Sequence, residues 1–264
     1  MSDAPEVEVE VELGLARVLA DFARDGYARL GRVVDDATLA ALGQRVDDLM
    51  QGRVVHEGLF FQHDSPTGRY EDLTFGAGWV GPSSDYRKLE KLERDPLFRA
   101  FIERPLHERI ARALIDGPIA LYRAVLFTKS ARGGTELPWH QDGGTFWGVT
   151  PAPFLQIWTG LDDAPLDGGC LEVLPGSHTA GLATPQGGTV PDEALRAARA
   201  EARAVPLPTV AGESILIHNH LWHRSRRSHS GRRRAALTLC LMTASARCLR
   251  RKRAPREFVR LFTR

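Results

Sequence analysis

Leu137-Pro138-Trp139-His140-Gln141-Asp142 places two metal-ligating side chains two positions apart, just after an apolar run with strand character. Residues i and i+2 of a strand point to the same side, so His140 and Asp142 can grip one ion together. His223, about eighty residues on, can complete that face. Two histidines and one carboxylate on one side of an ion, with the other positions open, is the arrangement of non-haem Fe(II) oxygenases. Arg234 follows His223 by eleven residues and offers a planar fork for the far carboxylate of a bound 2-oxoacid, which a lysine does not reproduce. H-x-D alone is weak, because nine histidines and 33 acidic residues among 264 positions produce such pairs by chance. The neighbouring sequence has to decide.

Working outward, periodicity changes from helical to extended. Leu15 to Asp25 reads as an amphipathic helix ended by Gly26, and Tyr27 to Val34 as a strand. Asp36 is the expected cap of a helix from Ala37 to Met50 that turns Leu39, Leu42, Val46 and Leu49 inward. Tyr86 to Asp116 reads as further helix, broken at Asp95-Pro96 and Arg104-Pro105. From Ile119 onward, short apolar runs separated by turn residues suit a jelly roll or β-barrel. Thr179 to Pro208 is a long excursion, with a helix expected over Asp192 to Arg203 and a lid role open to it. Phe258, Leu261 and Phe262 fall at helical spacing within a final basic helix over Arg250 to Arg264.

Three stretches extend the metal motif into a family pattern: the opening hexapeptide, Leu155 to Asp163, and Gly168 to His178. His223-Arg224-Ser225 with Ser228, Ser230 and Arg234 closes it. Together, and in this order, they resemble the phytanoyl-CoA dioxygenase family of Fe(II)/2-oxoglutarate-dependent oxygenases, from about Phe22 to about Met242. The resemblance implies a mainly β fold with flanking helices and a double-stranded β-helix (jelly-roll, cupin-like) core. Length and charge pattern add the expectation of one domain over 1–264: a disordered acidic leader at 1–13, mainly helical support at 14–118, the core at 119–246 and a basic segment at 247–264.

By that resemblance His140, Asp142 and His223 hold Fe(II), and 2-oxoglutarate binds with O2 as the other cosubstrate. Arg234 and Ser225 grip the far carboxylate, with Val125, Gln141 and Trp158 as further cosubstrate contacts. Retention of Asp142 argues for oxygenation, because related halogenases put a small residue there to admit chloride. His218 and His220 share a strand face and could serve a cupin-like zinc site, but the family spacing selects His223. His178 falls in a structural turn. The expected reaction is hydroxylation of an unactivated C–H, with release of succinate and CO2.

Pocket walls are expected from Phe60, Phe61, Gln62, Tyr70 and Trp147. Alternation along Ile119 to Ser130 adds Arg123 on the face of Val125. Such walls suit a small or medium organic molecule, a specialised metabolite or an amino-acid-like compound. No element for adenine or pantetheine is visible, so an acyl-CoA is not implied.

Composition places the chain among ordinary globular proteins: 43% hydrophobic residues, with no apolar run approaching the length of a membrane span. The acidic start lacks the basic and apolar regions of a signal peptide, and three cysteines show no metal-ligand spacing, so a reducing cytoplasm is expected. Arg224 to Arg264 holds 13 arginines. The rival reading is therefore a catalytically silent jelly-roll barrel that binds an anionic partner through its arginine-rich C-terminal region. Aromatic residues are not interleaved with those arginines, which argues against nucleic acid. Oligomerisation is left open.

Overall fold

The computed structural model describes residues 5–250 and 256–263, with side chains described from residue 14 onward. Two antiparallel sheets face each other without closing into a barrel. The major sheet runs in the order β1 (Tyr27–Arg32), β11 (Glu213–His218), β7 (Leu155–Gly160), β13 (Arg234–Thr243), β4 (Ile119–Lys129), β3 (Tyr86–Glu90) and β2 (Phe60–His63), and β15 (Val259–Leu261) also pairs with β4. The minor sheet runs β10 (Val205–Leu207), β8 (Leu171–Val173), β12 (His223–Ser225), β5 (Leu137–Gln141) and β9 (Gly188–Thr189), while β6 (Val149–Thr150) pairs with β14 (Arg247–Cys248). The architecture is mainly β with flanking helices, as the jelly-roll expectation has it.

Period-two alternation makes the two faces of the major sheet chemically different. Leu121, Ala124 and Leu126 of β4, Leu237, Leu239 and Leu241 of β13, and Leu155 and Ile157 of β7 point outward into the main hydrophobic core. There they meet Leu42, Val46 and Leu49 of α2 (Asp36–Met50), Phe98 and Ile102 of α3 (Pro96–Ile102), and Ile110 of α4 (Pro105–Leu114). Each such fully buried side chain contributes roughly 1.5–3 kcal/mol by leaving water, which fixes the sheet's outer face. The intervening residues are thereby forced inward, toward the minor sheet. Polar residues on that inner face have to serve the space between the sheets.

Several elements differ from the sequence expectations. Helix α1 (Pro5–Asp25) begins well before Leu15, so of the expected disordered leader only residues 1–4 fall outside the described residues. Asp35, not Asp36, caps α2, accepting from the Thr38 amide at 2.8 Å. Tyr86–Glu90 is a strand rather than helix, because its alternating buried residues satisfy the edge of β4. The segment before residue 119 supplies helices to the outer face and also three strands, β1, β2 and β3, to the major sheet. The expected helix over Asp192 to Arg203 is two short ones, α5 (Asp192–Ala197) and α6 (Ala200–Arg203), interrupted at Arg199 in the left-handed region with φ 52°. Near the C-terminus Leu261 belongs to a strand, β15, opposite Ile119 on β4, and Phe258 and Phe262 flank that strand rather than sharing a helix with it. Residues 251–255 and 264 of that expected basic helix lie outside the described residues.

Candidate active site

His140 and His223 sit directly opposite one another where β5 pairs with β12, so the ladder itself brings the two imidazoles together. Their ring centroids are 4.0 Å apart. Asp142 follows β5 by one residue, and ligand atoms of His140, Asp142 and His223 lie within 4.8 Å of one another, the one such cluster among the described residues. The alternative cupin-like pairing of His218 with His220, which the family spacing sets aside, forms no such group there.

Both imidazoles are oriented in the same way. Nδ1 of His140 lies 2.8 Å from the Pro138 carbonyl, and Nδ1 of His223 lies 2.9 Å from the Leu221 carbonyl. A carbonyl only accepts, so Nδ1 carries the proton in each ring and Nε2 presents its lone pair to the shared centre. Burial, reinforced by the neighbouring His223, pushes His140 down to about 3, which keeps it neutral against the opposing pull of Asp142. Burial alone would raise the Asp142 carboxyl, but Arg123 and then the two histidines outweigh it and hold it at about 2. Arg123 donates to Asp142 Oδ1 at 3.1 Å, and Gln156 Nε2 to Oδ2 at 2.6 Å. Two imidazoles with Nε2 turned to one centre and an ionised carboxylate fit a divalent first-row metal with positions left open.

The ligands line one end of a cavity between the sheets. Its other end is cationic. Arg234, Lys129 and Arg87 line it and are all buried. Their contacts are with neutral groups: Arg234 Nη2 donates to the Gly169 carbonyl at 2.9 Å, Lys129 Nζ to the Thr135 carbonyl at 2.7 Å, and Arg87 Nη1 to Gln62 Oε1 at 2.7 Å. Nε of Arg234 is buried without a partner. Burial lowers Arg234 to about 10, and burial together with Arg234 and Arg87 lowers Lys129 well below the usual lysine range. Buried cations without counter-charges are expensive, and a carboxylate placed among them satisfies the need. Ser225 lines the same end.

Of the other expected contacts, Trp158 and Arg123 line the cavity. Val125 is fully buried on the face of Arg123 but does not reach the lining. Gln141 is turned away: it donates to the Gly181 and His220 carbonyls and accepts from the Ala183 amide, tying down loops beside the metal end. Phe61 faces the wrong way for a pocket wall, since it pairs with Leu89 and joins the outer core. One step along β2, Phe60 and Gln62 take the inner face instead. Trp147 stacks on Tyr122 at 4.4 Å and lies 4.4 Å from the Arg123 guanidinium, so it supports Arg123 from behind rather than lining the cavity. Tyr70 does not line it, nor does any residue of the 179–208 excursion. His178 contacts the Ala23 carbonyl at 3.1 Å, as a structural turn residue would. Phe127 lines the cavity on the face that alternation shares with Arg123, whereas Gln156, Arg87 and Thr135 carry no such signal except that Gln156 lies two positions from Trp158 and hence on the same face.

Residues 22–236 match the family model described as phytanoyl-CoA dioxygenase (PhyH). The chain belongs to the phytanoyl-CoA dioxygenase family. Phytanoyl-CoA dioxygenase domain-containing protein 1 of Bos taurus is 33% identical over 160 residues, covering 57% of this chain and 54% of the relative. The chain thus matches about half the length of that relative. L-proline trans-4-hydroxylase of Streptomyces griseoviridis is 25% identical over 246 residues, covering 83% of this chain and 82% of that enzyme. Among solved structures, EctD from S. alaskensis with 2-oxoglutarate and 5-hydroxyectoine superposes with a TM-score of 0.69 at 20% identity, over 88% of this chain and 77% of that one. The epimerase SnoN in complex with Fe3+, alpha ketoglutarate and nogalamycin RO gives 0.70 at 20% identity, over 92% and 89%. These two likenesses establish a shared fold with those two proteins. No helix among the described residues is long and apolar enough to cross a membrane.

Proposed function

We propose that this chain is an Fe(II)- and 2-oxoglutarate-dependent oxygenase that hydroxylates an unactivated C–H of a small or medium organic molecule, releasing succinate and CO2. The observation that carries the reading is the two-ended cavity, with a two-histidine, one-carboxylate face at one end and buried, charge-unpaired Arg234 and Lys129 at the other. A dicarboxylate 2-oxoacid has one end for each. Family membership, with an L-proline hydroxylase among the relatives, supports the same chemistry.

In this reading His140, His223 and Asp142 hold the iron. Iron bound with 2-oxoglutarate and O2 supplies the oxidant for C–H cleavage. The protein's share is placement. Arg234, Ser225 and Lys129 bind the far carboxylate, so the 2-oxoacid enters in one direction. Arg123 and Gln156 fix the Asp142 carboxylate, leaving its remaining lone pairs for the metal. Phe127, Trp158, Leu171 and Ile217 line the middle and keep water from it.

The test is succinate formation from 2-oxoglutarate with Fe(II), ascorbate and O2. Slow uncoupled release that vanishes in the His140→Ala, His223→Ala double variant is the expected result. No consumption of 2-oxoglutarate under any substrate screen would favour the catalytically silent barrel. That rival has less to draw on than composition suggests, because Arg224 and Arg226 pair with Glu172 and Glu201, and Arg233 with Asp47 and Asp162.

A further inference from the structure

The inner face of the major sheet continues sideways beyond the cavity lining. Glu90 pairs with Val125 and Lys88 with Phe127 in the β3–β4 ladder, so both charged side chains stand on the inner face beside those two residues. They form an ion pair with each other, and Lys88 Nζ lies 5.8 Å from the ring centroids of both Phe60 and Phe127. Arg123, two residues from Val125 on the same face, stands diagonally between Glu90 and Asp142 and bonds the latter. Charge therefore alternates along one row: Asp142, Arg123, Glu90, Lys88.

We propose that the Lys88–Glu90 pair is the recognition element for the primary substrate, and that this substrate is a small amphoteric molecule of the α-amino-acid type. The inference rests on the oxygenase reading above and names its substrate class. An ion pair set between two phenyl rings is poor material for stability alone, since desolvation offsets much of the attraction and apolar residues of the same volume do as well. It is suited to exchange. A ligand's ammonium replaces Lys88 at Glu90 while its carboxylate replaces Glu90 at Lys88, and no charge is left bare. Because the two protein charges touch, the ligand's charges must also lie close, as they do on adjacent carbons. The side chains are 19% and 27% exposed, open enough for a ligand to reach them. A balanced row of alternating charge also suits a neutral zwitterion better than a polyanion, which would meet Glu90 and Asp142.

The experiment is calorimetric titration of the full chain, loaded with Mn(II) and 2-oxoglutarate without O2, with the twenty standard L-amino acids. Compounds that bind are then tested as methyl esters and as N-acetyl derivatives. At least one amino acid should bind, and each capped form should bind at least tenfold more weakly. Glu90→Gln should weaken the parent amino acid about tenfold yet leave the N-acetyl form unchanged, and Lys88→Met should do the same for the ester. If no amino acid binds, if capping either end of a binder makes no difference, or if each variant weakens free and capped forms equally, the assignment is wrong. The capped ligands decide the matter on the parent protein even if a variant fails to fold. Because binding is read without turnover, absence of succinate formation would overturn the oxygenase reading separately.

Discussion

Arg234 and Lys129 face each other across the β13–β4 ladder, two buried cations without a carboxylate between them. The next residue back, Arg233, points to the other side and is bound by Asp162 and Asp47. Neighbours in sequence thus have separate jobs. Arg234→Ala should raise the KM for 2-oxoglutarate on the order of a hundredfold, as loss of one partner from a buried charged pair does, while metal binding is retained. Arg233→Ala should leave that KM within twofold and instead lower stability by about 1–2 kcal/mol, because it frees two carboxylates at a partly buried contact. Steady-state kinetics and urea denaturation of both variants check the pair. Equal, mild effects on KM would mean that the cosubstrate anchor lies elsewhere.

Lys129 carries a second consequence. Its folded pKa is depressed by burial first, and then by Arg234 and Arg87. The folded, ligand-free protein therefore holds that proton less tightly than the unfolded chain, and Lys129 destabilises the fold below the ordinary lysine pKa, less so as pH rises toward it. A carboxylate arriving between the two cations reverses the shift. Binding of 2-oxoglutarate at pH 8–9 should therefore take up protons, seen as a dependence of the calorimetric heat on buffer ionisation enthalpy. Lys129→Met should abolish the uptake, raise KM about tenfold and stabilise the ligand-free protein. A buffer-independent heat would show that Lys129 stays protonated throughout.

The metal end was legible in sequence because strand periodicity is a local rule: His140 and Asp142 share a side whatever the rest of the chain does. The pairing of His140 with His223 was legible only through the family spacing, since nothing local sets a ladder register between strands about eighty residues apart. Phe61 shows where local reading fails. A shift of one position along a short strand exchanges core for cavity, and both Phe60 and Phe61 satisfy the apolar pattern. Tyr86–Glu90 failed for a different reason: five residues are too few to separate a strand from the start of a helix, and the pairing partner that decides the matter, β4, lies beyond a helical segment. Gln141, a cosubstrate contact by the resemblance, is turned the other way because strand alternation places it on the face opposite His140.

His107 on α4 is fully buried, with Nδ1 3.2 Å from the Ile102 carbonyl and its ring edge-on to Phe101. Burial lowers its pKa from 6.5 to about 4. The unfolded chain protonates it first as pH falls, so the fold loses stability between pH 6.5 and 4 and regains it on the way back up. The size of the shift corresponds to about 3 kcal/mol across that window. His107→Gln should flatten this part of the stability–pH curve measured by urea melts at pH 7, 5.5 and 4.5. An unchanged slope would mean that other histidines with lowered pKa, His140 and His218 among them, carry the acid sensitivity.

The carboxylate of Asp142 has both oxygens engaged, Oδ1 by Arg123 and Oδ2 by Gln156, before any metal is considered. Gln156 can only donate through its amide nitrogen here, so the contact orients the carboxylate without neutralising it. Removing that donor frees Asp142 to rotate toward Arg123, and the metal then meets a misaligned ligand. Outer contacts of this kind are worth roughly 10–100-fold in metal affinity. Gln156→Leu is nearly isosteric, buried and not a ligand, so it should weaken metal binding by about that factor while leaving the melting temperature of the metal-free protein little changed. Gln141→Leu is the matched comparison. Its three contacts hold backbone groups of flanking loops and none reaches the ligands. It should lower the melting temperature and change metal affinity far less. Co(II) titration followed by absorbance, with melting curves of the same samples, separates the two. If Gln141→Leu weakened the metal as much as Gln156→Leu, the site would be held by loop rigidity rather than by orientation of Asp142.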